Sequence, residues 1–171
     1  DYNSYMPDTN HLDHSPVKYV RINLHWMQAE GARSDFPEQK VREFSQGLVK
    51  AANYALNNNK PMWLPHNNDT PILPIRIQYV LTPRSNDTAD DGIYFHYDDE
   101  QYFYVAKGKH RNLYNREVVN KYGAKLDTVL NIFFMPHHPD SIRSKSYTAA
   151  RTGVALGNTI KLAGVDYNGD Y

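Results

Sequence analysis

Apolar and polar positions alternate in VKYVRINLHWMQ, where Val20, Ile22, Leu24 and Trp26 form one series offset from Val17 and Tyr19. A period of two over residues 17–28 predicts a strand. In SDFPEQKVREFSQGLVKAANYALNNN the period lengthens: Val41, Phe44, Leu48, Ala51, Ala52 and Ala55 recur at helical spacing, with Arg42, Glu43, Gln46 and Lys50 between them. Ser34 or Asp35 is placed to cap this helix, Pro37 suits its first turn, Glu38 sits where the helix dipole favours a carboxylate, and Asn57, Asn58 and Asn59 end it. ILPIRIQYVLTP (72–83) alternates Ile75, Ile77, Tyr79 and Leu81 and predicts a second strand. DGIYFHYDDEQYFYVAKG (91–108) reads as a β-hairpin with Asp98, Asp99 and Glu100 at its turn. NREVVNKYG suits a short helix closed by Gly123. TVLNIFFM (128–135) is almost wholly apolar, as a strand buried on both faces should be, and TGVALGNTIKLAG supplies one or two strands punctuated by glycine.

A strand joined through a long helix to a second strand is a βαβ unit, so part of the sheet is expected to be parallel. The predicted class is α/β (α+β): a twisted, mixed, mainly parallel sheet with one long helix and a β-hairpin insertion. Residues 1–16 carry two prolines and no periodicity and read as an arm or linker, leaving 17–171 as one folded unit. One long helix covers one sheet face. The pattern offers no obvious second layer, so the other face is expected to be bare.

With 171 residues and 40% hydrophobic content the chain is long enough for one core, while a mean hydropathy of -0.72 implies a very polar surface. Nineteen basic residues balance nineteen acidic ones, so no global field draws the chain to nucleic acid or an anionic membrane. There is no cysteine, which excludes disulfides, thiolate-bound zinc and a thiol nucleophile. No apolar run approaches the roughly 20 residues of a membrane span. The chain starts at Asp1 rather than methionine, which reads as a processed product or one cut from a longer chain; loss of a signal peptide, with a secreted, periplasmic or cell-surface location, is an expectation that stays open beside it.

Several groupings carry candidate chemistry. His137 and His138 lie between two prolines at the end of the apolar strand, but adjacent residues on an extended chain point to opposite faces and Asp140 is their nearest further ligand. The bland reading is a polar loop. His11 and His14 make an H-x-x-H within the arm. Asp90 and Asp91, with Asp98, Asp99 and Glu100, gather carboxylates that suit calcium or acid–base work, although Asp-Gly at 91–92 and an acidic tip are also ordinary turn chemistry. DYNGDY (166–171) begins like a calcium loop without its glycine and closing glutamate, and Asn68 and Asn86 open glycosylation sequons. G-x-S-x-G, P-loop, G-x-G-x-x-G and H-E-x-x-H motifs are missing, and no catalytic residue is assigned.

DTVLNIFFMP, a polar loop and then TGVALGNTIKLAG together resemble the strands that precede the zinc helix of metzincin-type metallopeptidases. DDGIYFHYDDE and FFMPHHPDS are similar to the pappalysin-like branch from the Bacteroidetes group in particular. The resemblance spans about residues 17–164 as an order of elements. It implies a zincin-like N-terminal subdomain: a twisted, largely parallel sheet with one antiparallel edge strand, followed by a helix bearing H-E-x-x-H-x-x-G-x-x-H. That helix would begin after Tyr171 and cover the bare face. The resemblance implies that Gly153, Val154, Ala155, Leu156 and Gly157 take the place of the edge strand that pairs with extended substrate, and that His137 and His138 lie in a loop near the cleft without ligating. Zinc, its ligands and the catalytic glutamate would belong to the missing C-terminal half, so this chain alone is expected to be inactive. The other reading from the residues is a stand-alone extracellular module that binds protein or glycan through its Tyr- and Asn-rich loops, with calcium at the acidic hairpin as a variant.

Overall fold

The computed structural model describes residues 10–11, 16–34, 36–60, 66–67, 75–86, 88–145 and 153–163. In chain order these form β1 (Lys18–Gln28), α1 (Glu38–Asn57), β2 (Ile77–Leu81), β3 (Ile93–Tyr97), α2 (Glu117–Tyr122), β4 (Leu130–Met135), α3 (Pro139–Ile142), β5 (Gly153–Ala155) and β6 (Thr159–Ala163). The sheet runs β2-β1-β4-β6-β5, with β3 also beside β1. Every pairing is parallel except that of β5 with β6. The fold is therefore mixed α/β with a mainly parallel sheet. His14, Asn68 and the 166–171 segment lie outside the described residues, and no described helix is long and apolar enough to cross a membrane.

β1 is the centre of the sheet, and its side chains alternate between two layers. Ile22, Leu24 and Trp26 pack with Val41, Ile93 and Phe134 under α1. Asn23, His25 and Met27 face the other side, where Met27 joins Tyr104, Val118, Val119, Phe133, Met135 and Ala163. The Trp26 ring stacks on Phe134 at 4.4 Å and 18°, an arrangement worth about 0.5–1.5 kcal/mol beyond its area. β4 is enclosed on both faces, as its apolar run predicts.

The second layer corrects the expectation of a bare face. Residues 102–126, including α2, lie across the Met27–Phe133–Met135 side of the sheet. This covering is largely irregular, so no periodicity betrays it. Asn112 organises it by accepting from Val105 N and donating to Phe103 O. Lys161 rises from β6 to donate to the carbonyls of Asn112 and Asn115 at 2.7 and 2.9 Å. Burial lowers the Lys161 ammonium to a pKa of about 8.

The predicted hairpin at 91–108 is also corrected. β3 pairs in parallel with β1 (Leu24 with Ile93 through Gln28 with Tyr97), and the second arm does not return along it. Asp98 turns the chain instead, and Tyr104 forms an isolated parallel bridge with His137. β2 and β3 act as one interrupted strand along β1: Thr82 N donates to Ile22 O, Leu24 N donates to Gly92 O, and 83–86 and 88–91 leave the ladder between. Asp90 closes the bulge by accepting from Arg84 N, Ser85 N, Gly92 N and the Tyr94 hydroxyl. Gly92 has φ +77° and lies so close to the Thr82 backbone that an added Cβ would meet it at 3.0 Å, which is why turn residues occur here.

α1 turns a different stripe inward from the one its apolar residues suggest. Val41 and Ser45 are buried, while Phe44 and Leu48 stay 37% and 39% exposed. Ser45 Oγ accepts the Trp26 indole N–H at 2.9 Å and donates to Val41 O. Two turns on, Asn53 accepts from Tyr79 N and donates to Tyr79 O. That amide occupies backbone groups on the outer side of β2, which blunts an otherwise open edge. Asn53→Ala should lower stability by about 1–3 kcal/mol, because it frees both groups at a half-buried site. A urea midpoint equal to that of the parent would contradict this role.

Candidate functional site

At the opposite edge of the sheet, β5 turns into β6 through Gly157 and Asn158, with Gly157 at φ +66°. Leu156 N donates to Thr159 O at 2.7 Å. In an antiparallel ladder hydrogen-bonded and non-hydrogen-bonded pairs alternate. Val154–Lys161 is then bonded, whereas Ala155–Ile160 and Gly153–Leu162 are not. The N–H and C=O groups of Gly153 and Ala155 consequently point away from β6, toward a side that no described strand occupies. Both residues are exposed, and Val154 packs inward. A Cβ on Gly153 would come 2.8 Å from Leu162 Cδ2, so glycine lets this strand sit close to β6. Arg116 donates to Leu156 O at 3.4 Å and Gly157 is exposed in the turn, so the edge strand itself spans Gly153–Ala155.

His137 and His138 separate. The backbone of His137 pairs with Tyr104. His138 caps the short helix α3, its Nδ1 accepting Asp140 N at 3.1 Å. The side chain of His138 stacks on His110 with ring centroids 4.1 Å apart and 13° between planes. Asp140 Oδ2 lies 3.3 Å from His110 Nε2 and 3.9 Å from His138 Nδ1. Burial, and then the neighbouring His110, lower the pKa of His138.

The acidic stretch does not converge on a cation. Asp98 Oδ2 accepts from Lys121 Nζ and the Tyr122 hydroxyl, each at 2.7 Å, and Oδ1 accepts from Glu100 N and Gln101 N. Burial opposes its ionisation, but these four donors together pull its pKa down to about 2. Asp99 turns away to accept Glu30 N. Lys121 thus engages Asp98, Asp99 faces Glu30, and Glu100 gives its N–H to the turn.

A polar chain crosses the second layer. Asn131 Oδ1 accepts from Ala124 N and from His25 Nε2, and its amide donates to Ala124 O and Val129 O. Because that oxygen can only accept, His25 carries its proton on Nε2 and uses Nδ1 as acceptor. His96 Nε2, 3.0 Å away, is then the donor to it. The His25 ring is stacked on Phe133, and His96 lies on Tyr122. Burial, then His96, depress His25 to a pKa of about 3; burial, then Arg84, depress His96 to about 4. Beyond His96 a shallow groove of about 450 Å³ follows the outer side of β3, lined by Arg33, Arg42, Tyr94, Tyr97 and Tyr122 among others. Arg33 lies over Tyr97 and Arg42 over Phe95. Both cations are already paired, with Glu30 and Asp91 respectively.

Sequence reading missed His110, His25, His96 and Asn131 as members of polar groups. His110 stands 28 residues from His138, and nothing in local spacing links them. Asn131 in an otherwise apolar strand was the available signal, since a buried amide must find partners. No protein-family model matches the chain, and no curated protein or solved structure matches it either.

Proposed function

We propose that this chain is the scaffold and substrate-cleft half of a secreted zinc-dependent metalloendopeptidase. In this reading its peptide or protein substrate adds as a further strand along β5. The observation that carries it is the edge itself: Gly153 and Ala155 direct two N–H and two C=O groups outward from the one antiparallel strand of a mainly parallel sheet. Such an edge binds extended peptide through main-chain hydrogen bonds and is tolerant of sequence. The small residues at 153 and 155 leave room for the side chains of the added strand. A sheet of this kind is also what the resemblance to metzincin-type enzymes implies.

The eight histidines, at 11, 14, 25, 66, 96, 110, 137 and 138, contain no pair spaced as in H-E-x-x-H. This chain therefore has no residues to hold the zinc of that family, and no hydrolytic step is assigned to it. Its part is to bind and orient; zinc, its ligands and the general base lie in a C-terminal half outside residues 1–171. The alternative, an extracellular binding module, draws its support from the tyrosine-lined groove beside β3.

The test is Ala155→Pro in the full gene product. Proline removes an outward N–H and no bond to β6, and it is compatible with an edge strand. KM for peptide substrates should rise about tenfold, roughly the loss of one well-made hydrogen bond plus closer steric approach, with an unchanged urea midpoint. Val154→Pro, which removes a ladder N–H, should instead destabilise the fold. An unchanged KM for Ala155→Pro would remove β5 from substrate binding. Saturable glycan or protein binding abolished by Tyr97→Ala, without peptidase activity, would favour the module.

A further inference from the structure

Two histidines and one carboxylate outside the β5 edge converge from separate parts of the chain. His110 comes from the irregular covering layer, His138 from the N-cap of α3, and Asp140 from its first turn. One ligand atom from each lies within 4.8 Å of the others. The 3.3 Å between His110 Nε2 and Asp140 Oδ2 is close to the edge of a tetrahedron with metal–ligand bonds of about 2.0–2.1 Å, which is about 3.3 Å. His138 Nδ1, at 3.9 Å from the same oxygen, now accepts Asp140 N, and its ring lies parallel to that of His110, so the two imidazoles must turn out of their stack to aim both lone pairs at one ion.

We propose that His110, His138 and Asp140 bind a zinc ion that fastens the covering layer to the turn after β4. The surroundings hold the carboxylate in place for this. Arg143 holds Asp140 Oδ1 at 3.0 Å, which leaves Oδ2 for the histidines. Supporting contacts of this kind commonly aim metal ligands. Phe103 stands edge-on to both rings, at 4.5 Å from His138 and 6.5 Å from His110, and limits their freedom. Two imidazole nitrogens and one carboxylate oxygen suit zinc or cobalt rather than calcium or magnesium, which take oxygen ligands. Three protein ligands leave a fourth position for water. The ion takes over the His138 Nδ1 lone pair that now accepts Asp140 N, so the metal replaces that cap as the element holding α3 in place. This site is separate from any peptidase zinc and does not rest on the β5 reading.

The experiment is titration of zinc chloride into chelator-treated protein by calorimetry, with cobalt(II) absorption as a second readout. The expected result is about one zinc per chain, a tetrahedral cobalt spectrum, and affinity weakened at least about tenfold by His110→Ala and by Asp140→Asn. His137→Ala should leave affinity unchanged. Urea midpoints of the metal-free variants show that they are folded; a variant that fails to fold is replaced by His110→Gln, read in the same way. Absence of stoichiometric binding would overturn the site. So would binding that survives both ligand substitutions, since that zinc would be adventitious at surface histidines.

Discussion

Urea unfolding should move to markedly lower denaturant as pH falls from neutrality to about 4.5, with a loss of about 5 kcal/mol. His25 and His96 are the source. Their folded-state pKa values, about 3 and about 4, lie below the 6.5 of a free imidazole. As pH drops below 6.5 the unfolded chain takes up protons that the native state refuses, so stability is full above 6.5 and is lost on the way down to about 4 and 3. Each histidine contributes about 1.4 kcal/mol per pH unit within that window. The hydrogen bonds explain the refusal: a proton on His25 Nδ1 would face the N–H of His96 Nε2. A loss of this size approaches the whole stability of a small domain. His25→Phe keeps the stack on Phe133 and should about halve the slope between pH 6.5 and 4.5; replacing both histidines with Phe should leave only a small residual slope, to which His138 contributes. An unchanged slope in the double variant would assign the acid sensitivity elsewhere. Below that window Asp98 takes over, its contribution falling as pH drops from the ordinary 3.8 toward about 2.

Asn131→Ala should cost at least about 4 kcal/mol, at the upper end for a single substitution. The amide makes four hydrogen bonds in a site without exposure, and its loss orphans Ala124 N, Ala124 O, Val129 O and His25 Nε2 together. Each unsatisfied buried group costs about 1–3 kcal/mol. The substitution should also loosen the 124–129 turn, seen as faster amide exchange there. A loss under about 1 kcal/mol would mean that the turn rearranges and the polar chain is dispensable.

The order of elements and the parallel sheet were legible because hydrophobic period and strand–helix–strand order carry them directly. α1 and the enclosed strand β4 follow from composition and pattern alone. Alternation, however, is the same for parallel and antiparallel partners. IYFHY and its aromatic continuation therefore read as a hairpin, although β3 runs parallel to β1 and Asp98 is pinned by Lys121 and Tyr122. The buried stripe of α1 was misplaced because its anchors are Ser45 and Asn53, polar residues whose value lies in bonds to Trp26 and Tyr79. The layer over residues 102–126 has no period to read, and the His110–His138–Asp140 cluster exists only through long-range folding. The acidic stretch shows the same limit: the lysine that pairs with Asp98 is 23 residues away from it.

The coding sequence beyond Tyr171 is the measurement that bears most directly on the proposed function. An open frame with H-E-x-x-H within the next few dozen codons is the predicted result, and it would join the β5 edge to a zinc helix in one catalytic domain. A stop codon at that point, or a continuation without the motif, would contradict the metalloendopeptidase account and turn attention to the groove beside β3.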